Sequence, residues 1–133
     1  MDTQINIFSN IDSYRDTLLV SNVIDFFNKN NIKFTRDTIS NYLKLNILPP
    51  LDNKKYYNKH HLFFLFFISK YKEIYRLEEI GKILKKIDAD IGIEEYYNQY
   101  ISTYTFYSDR IEEIIKKNDI SKYLLLSHLI NIK

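Results

Sequence analysis

Two glycines in 133 residues constrain this chain more than any other feature. Tight β-turns and phosphate-cradling loops rely on glycine for positive φ angles and close backbone approach. A β-sandwich or a Gly-rich nucleotide-binding fold is therefore excluded. The two prolines, Pro49 and Pro50, are adjacent, so long stretches are free to be helical and the expected fold class is all-α. Hydrophobic residues make up 45% and charged residues 27%, the balance of a folded rather than a disordered chain. The length suits one domain, or a small domain with an appendage, with a core of its own. The absence of cysteine removes thiolate catalysis, thiol redox sensing and cysteine-based zinc sites.

Residues 1 to 10 carry neither the basic flank nor the apolar run of a signal peptide, and read as a loose arm. The longest apolar run, Leu62 to Ile68, is far below the roughly 20 residues a membrane-spanning helix needs. It reads as a helix buried on most sides. No membrane association and a cytoplasmic location are expected.

Apolar spacing divides the chain into helices. Tyr14, Leu18 and Leu19 predict a short helix. Ser21 reads as an N-cap for a stripe of Val23, Ile24, Phe26 and Phe27 that closes at Asn30-Asn31, where asparagine adopts the left-handed conformation. Thr35 reads as the cap of a second helix, Arg36 to Leu45, with Ile39, Tyr42 and Leu43 inward. About four residues separate the two helices, and Pro49-Pro50 stops the second. Asp52-Asn53 is a turn and Lys55-Tyr56-Tyr57 a short extended piece. Asn58 caps a third helix, Lys59 to about Tyr71. A fourth runs from about Leu77 to Ile87, with Glu78 and Glu79 in its first turn and Lys85 and Lys86 in its last. Two or three further helices follow. One carries Tyr96, Tyr97, Tyr100, Ile101 and Tyr104, another Ile111, Ile114 and Ile115, and the last Ile120, Tyr123, Leu124, Ser127 and Leu129. The expected division is an arm or short helix over 1–16, a core over 17–87 and a helical C-terminal part over 88–133.

Lysine, isoleucine, asparagine and tyrosine are abundant, a bias that an AT-rich genome would produce. Such a bias does not explain where the charges fall. Residues 29–86 hold 13 basic and 5 acidic residues, a net +8 against +2 for the whole chain, so the remainder carries −6. A basic half beside an acidic half points to a nucleic-acid-facing module joined to something else.

A helix, a short turn, a second capped helix, a prolyl stop and a basic hairpin make a helix-turn-helix with a wing. Arg36 and Asn41 suit bidentate reading of guanine and adenine edges. Lys33, Thr35 and Lys44 are placed to hold phosphates, and Lys54, Lys55 and Tyr56 to act from the wing.

The string Thr35-Arg36-Asp37-Thr38-Ile39-Ser40-Asn41-Tyr42-Leu43-Lys44-Leu45-Asn46-Ile47-Leu48-Pro49-Pro50 resembles the recognition helix and exit of MerR-type regulators. Asn53-Lys54-Lys55-Tyr56-Tyr57-Asn58-Lys59-His60-His61-Leu62 is similar to their wing and following helix, usually an Arg-Tyr-Tyr-Thr/Ser-x-x-Asp-Leu string. Leu77-Glu78-Glu79-Ile80 resembles the helix after that. The closer resemblance is to a bacterial family known as domain of unknown function 1836, which shares this core. The resemblance spans about residues 17–87 and implies a MerR-like winged helix-turn-helix core. Asn46 stands where these proteins usually have glycine, Arg76 where a capping serine is common, and Lys55 where a wing arginine is common. The C-terminal part lacks the single long dimerisation helix of MerR regulators, and no Cys or His set for metal sensing accompanies it.

The expected function is double-stranded DNA binding by a transcriptional regulator, acting as a homodimer because one short recognition helix covers too few base pairs. The apolar C-terminal helix is the expected interface. An adaptor or antagonist that kept the fold without DNA binding is the alternative, and a small-molecule-responsive regulator using the tyrosine-rich helix is a third reading. No catalytic constellation, cofactor or metal site is expected. His60 and His61 point about 100° apart on a helix and are read as surface or boundary residues rather than a chelate. The tyrosines are read as core residues with their phenol tips in water.

Overall fold

The computed structural model describes Phe8 and residues 17–103. Four helices, α1 (Val20–Asn28), α2 (Arg36–Lys44), α3 (Lys59–Tyr71) and α4 (Leu77–Asp90), are followed by α5, which begins at Ile93 and reaches the last described residue. Among the described residues there is no strand, only two isolated antiparallel bridges, Leu18 with Tyr57 and Asp52 with Tyr56. The regular structure among the described residues is thus all-helical, as expected.

Helix α3 is the centre of the core. Every residue from His61 to Ile68 is buried, because the apolar run wraps the whole helix rather than one face. Burying each such Phe, Leu or Ile contributes about 2 kcal/mol relative to exposure. Asn58 caps α3 as predicted, its side chain accepting from the His61 backbone N–H. Helix α5 lies on α3 through Tyr96 and Tyr97, whose rings meet Phe67 at 4.8 Å and Phe66 at 5.1 Å. The Tyr96 hydroxyl does not reach water as the sequence reading had it: it is paired with the Tyr71 hydroxyl inside the core. Burial of both rings pushes both phenols up from their ordinary pKa. Phe8, expected in a loose arm, is also buried, with its ring 4.5 Å from Phe63 and 4.8 Å from Tyr97. Gly81 brings α4 close to the segment after α2, since a Cβ there would stand 3.2 Å from Ile47 Cγ1.

Helix ends account for most differences from expectation. Leu18 is not helical. It pairs with Tyr57, and α1 starts at Val20 rather than behind Ser21, with the Leu19 N–H donating to Asn22 Oδ1 at 2.9 Å. Asn31, at φ 62°, closes α1 as predicted: Ile32 N–H reaches Phe27 C=O and Asn31 N–H reaches Asn28 C=O. The same closure ends α2 at Asn46, φ 63°, with Ile47 N–H on Tyr42 C=O. Asn46, not Pro49-Pro50, is therefore the stop. The connection between α1 and α2 runs from Lys29 to Thr35, longer than the four residues expected, because the left-handed closure uses part of it. Arg76 gives α4 no side-chain cap, yet its own N–H donates to Glu79 Oε1. Helix α4 runs past Ile87 to Asp90, so its last turn is not the basic one predicted; Asp88 Oδ1 accepts from the Ile93 N–H at the start of α5. Tyr14, Tyr104 and the helices expected beyond it lie outside the described residues.

Candidate nucleic-acid interface

The exposed side of α2 follows from its sequence. Ile39 and Tyr42 are buried and Leu43 half-buried, so the opposite side faces solvent. At about 100° per residue, Arg36, Ser40 and Lys44 form a stripe within roughly 80°. Asp37 and Asn41 complete the exposed arc on its far flank. Sequence reading had paired Arg36 with Asn41, which stand about 140° apart on this wheel. It missed Ser40, which sits between Arg36 and Lys44; the i, i+4, i+8 spacing was the signal for it.

Thr35 holds the N-terminus of α2. Its hydroxyl accepts from the Thr38 N–H at 3.1 Å and donates to Thr38 Oγ1 at 2.9 Å. That proton is engaged, so Thr35 acts on this surface chiefly by fixing the first turn. Lys33, just upstream, is exposed.

The hairpin is closed by Asp52 and Tyr56, with Asp52 N–H on Tyr56 C=O and Tyr56 N–H on Asp52 C=O, both 2.9 Å. Asn53 and Lys54 form its tip at φ 51° and 59°. Two successive left-handed residues fit the twist of a tight hairpin. Asparagine tolerates that conformation, but lysine there costs on the order of 1 kcal/mol. Lys54 and Lys55 are exposed, and the Lys55 ammonium lies over the Tyr56 ring, 5.2 Å from its centroid.

Electrostatics links the first turn of α2 to the base of the hairpin. Burial pushes the Tyr57 phenol above its ordinary pKa, while the Arg36 charge pulls it down, so Arg36 acts on the base of the hairpin. Among the described residues no ion pair engages Lys33, Arg36, Lys44, Lys54 or Lys55. The surface therefore presents cations to solvent.

His60 and His61 are not equivalent. His60 Nε2 lies 3.0 Å from Asp88 Oδ2, joining α3 to α4. His61 is buried at 1% exposure, contrary to the surface or boundary role expected, and bonds to Pro49, Pro50 and Asn58.

The chain matches the family model described as Domain of unknown function (DUF1836) over residues 10–109. The protein belongs to the DUF1836 family. No curated protein and no solved structure matches it. The DUF1836 match spans α1 to α5, so the interface and the helices behind it fall within the family's own region.

Proposed function

We propose that this DUF1836 protein binds double-stranded DNA as a homodimeric transcriptional regulator. In this reading α1 and α2 are a helix-turn-helix, α2 enters the major groove, and the hairpin at 52–56 is a MerR-like wing. The observation that carries it is the set of exposed cations on α2 and the hairpin, which no ion pair engages among the described residues, with Lys54 held in a strained conformation at the tip. Strain at an exposed residue is kept where it serves a site.

Arg36 reads bases from the first turn, with Ser40 beside it. Asn41 reaches base edges from the flank of α2. Lys33 and Lys44 hold phosphates, and Thr35 fixes the turn that presents them. Lys54, Lys55 and Tyr56 act from the wing. The dimer is assigned to the C-terminal helix, outside the described residues. A basic surface of this kind adds affinity for any duplex, and the α2 side chains add sequence preference.

The test is selection of bound duplexes from a random-sequence library, for the wild type and for Arg36→Ala. An enriched motif that loses information at one or two positions in the variant supports the reading. No retention of any duplex would favour the alternative, a protein-interaction module on the same scaffold.

A further inference from the structure

The buried imidazole of His61 has three backbone partners from two segments. Its Nε2 lies 3.0 Å from the Pro49 carbonyl oxygen and 3.1 Å from that of Pro50. Two carbonyls can only accept, so Nε2 carries the proton. Its Nδ1 lies 3.1 Å from the Asn58 N–H and therefore accepts. One neutral ring thus ties the exit of α2 to the base of the hairpin. Asn58 extends the tie, because its Nδ2 donates to Asp52 Oδ2 at 2.7 Å, and Asp52 faces Tyr56 across the hairpin.

A proton at Nδ1 reverses one of these bonds. The ring nitrogen then donates, and its acceptor is Asn58 Oδ1, also at 3.1 Å. That oxygen already caps α3, and the Asn58 N–H is left without its partner. The charged groups facing the ring are few. Asp52 on the hairpin favours the proton, while His60 on α3 opposes it. The Tyr57 ring, 5.4 Å away, is neutral wherever histidine titrates, since a phenol ordinarily ionises near 10 and burial raises this one further. Burial of the imidazole outweighs these and keeps it neutral below its ordinary pKa.

We propose that His61 is a positioning residue for the DNA interface and a proton-operated brace. Neutral, it holds together the segments that enter and leave the hairpin carrying Lys54, Lys55 and Tyr56; protonated, it loosens that hairpin and weakens duplex binding. The effect on duplex binding rests on the DNA-binding reading, and the brace on the hairpin stands without it.

Two measurements separate the halves. Amide exchange at Tyr56, Tyr57 and Asn58 is followed by NMR from about pH 7.5 to 5.5, after correction for intrinsic rates. The brace predicts falling protection at these amides as pH falls, and unchanged protection overturns it. Duplex affinity is then measured at constant salt over the same range for the wild type, His61→Gln and His60→Gln. Glutamine can accept from Asn58 and donate to a prolyl carbonyl, and it does not titrate. The wild type and His60→Gln should lose affinity on acidification by about fivefold, the equivalent of one hydrogen bond, while His61→Gln stays flat. Simple gain of positive charge would move affinity the other way. A common profile in all three proteins overturns the coupling to DNA. Absence of binding at every pH counts against the DNA reading alone, and the exchange data still decide the brace.

Discussion

Lys54 sits in a left-handed conformation that glycine or asparagine would adopt at less cost. Lys54→Gly should therefore raise stability by about 1 kcal/mol in urea unfolding, while lowering DNA affinity and reducing the salt slope by about one. A variant that gains stability with unchanged affinity would remove Lys54 from the interface. Asn46 makes the converse case. Asn46→Ala should destabilise by about 1 kcal/mol and Asn46→Gly should not, because only the former strains the closure of α2. The asparagine closure of α1 and the Asn58 cap were legible in the sequence, since asparagine at the end of an apolar stripe has a local meaning; the closure at Asn46 was hidden by the two prolines downstream, which are the stronger stop signal. The strain at Lys54 was not, because lysine carries no turn signal. The burial of His61 was equally hidden: two adjacent histidines give no local sign of which one faces inward. Its partners Pro49 and Pro50 lie 12 and 11 residues away.

Helix α2 is short, with nine residues, and depends on its cap. Thr35→Ala should cost about 1 kcal/mol in unfolding free energy. It should also weaken DNA binding by fraying the turn that presents Arg36. Loss of stability without loss of affinity would show that the first turn is not part of the interface. Helix α4 is set by its closeness to Ile47. Gly81→Val should destabilise by about 2 kcal/mol or more, since the first added carbon already meets a buried side chain at 3.2 Å. Helices with a side-chain cap, α2 and α3, were readable nearly to the residue. Helices α1 and α4 lack a side-chain cap from the residue before them, and their limits are set instead by Asn22, Glu79 and Gly92 acting from inside the helix or beyond it. Ser40 was missed because the sequence reading weighed base-reading chemistry ahead of the helical register.

At the scale of the molecule, one aromatic core joins α3 to Phe8 and α5, and the cationic face lies on α2 and the hairpin. The split of charge along the chain was legible. The bridge of Leu18, just before α1, with Tyr57 at the base of the hairpin joins residues far apart in the chain, which no local pattern encodes. Stability should also depend on pH through His61. Its pKa in the folded protein is lowered below the ordinary 6.5 by burial, so the unfolded chain binds the proton first. The contribution of His61 is complete above about 6.5 and is lost as pH falls through the folded value. Urea midpoints of the wild type and His61→Gln should diverge in the acid direction, the wild type losing more. Parallel curves would contradict this.

In the proposed function the exposed cations of α2 and the hairpin bind duplex DNA. Fluorescence anisotropy of labelled duplexes of about 30 bp, at about 50 and 200 mM salt, tests it most directly. A dimer touching roughly six phosphates should lose about a thousandfold in affinity across that range, whatever the sequence. No binding at the lower salt, or binding that salt does not weaken, would contradict the account.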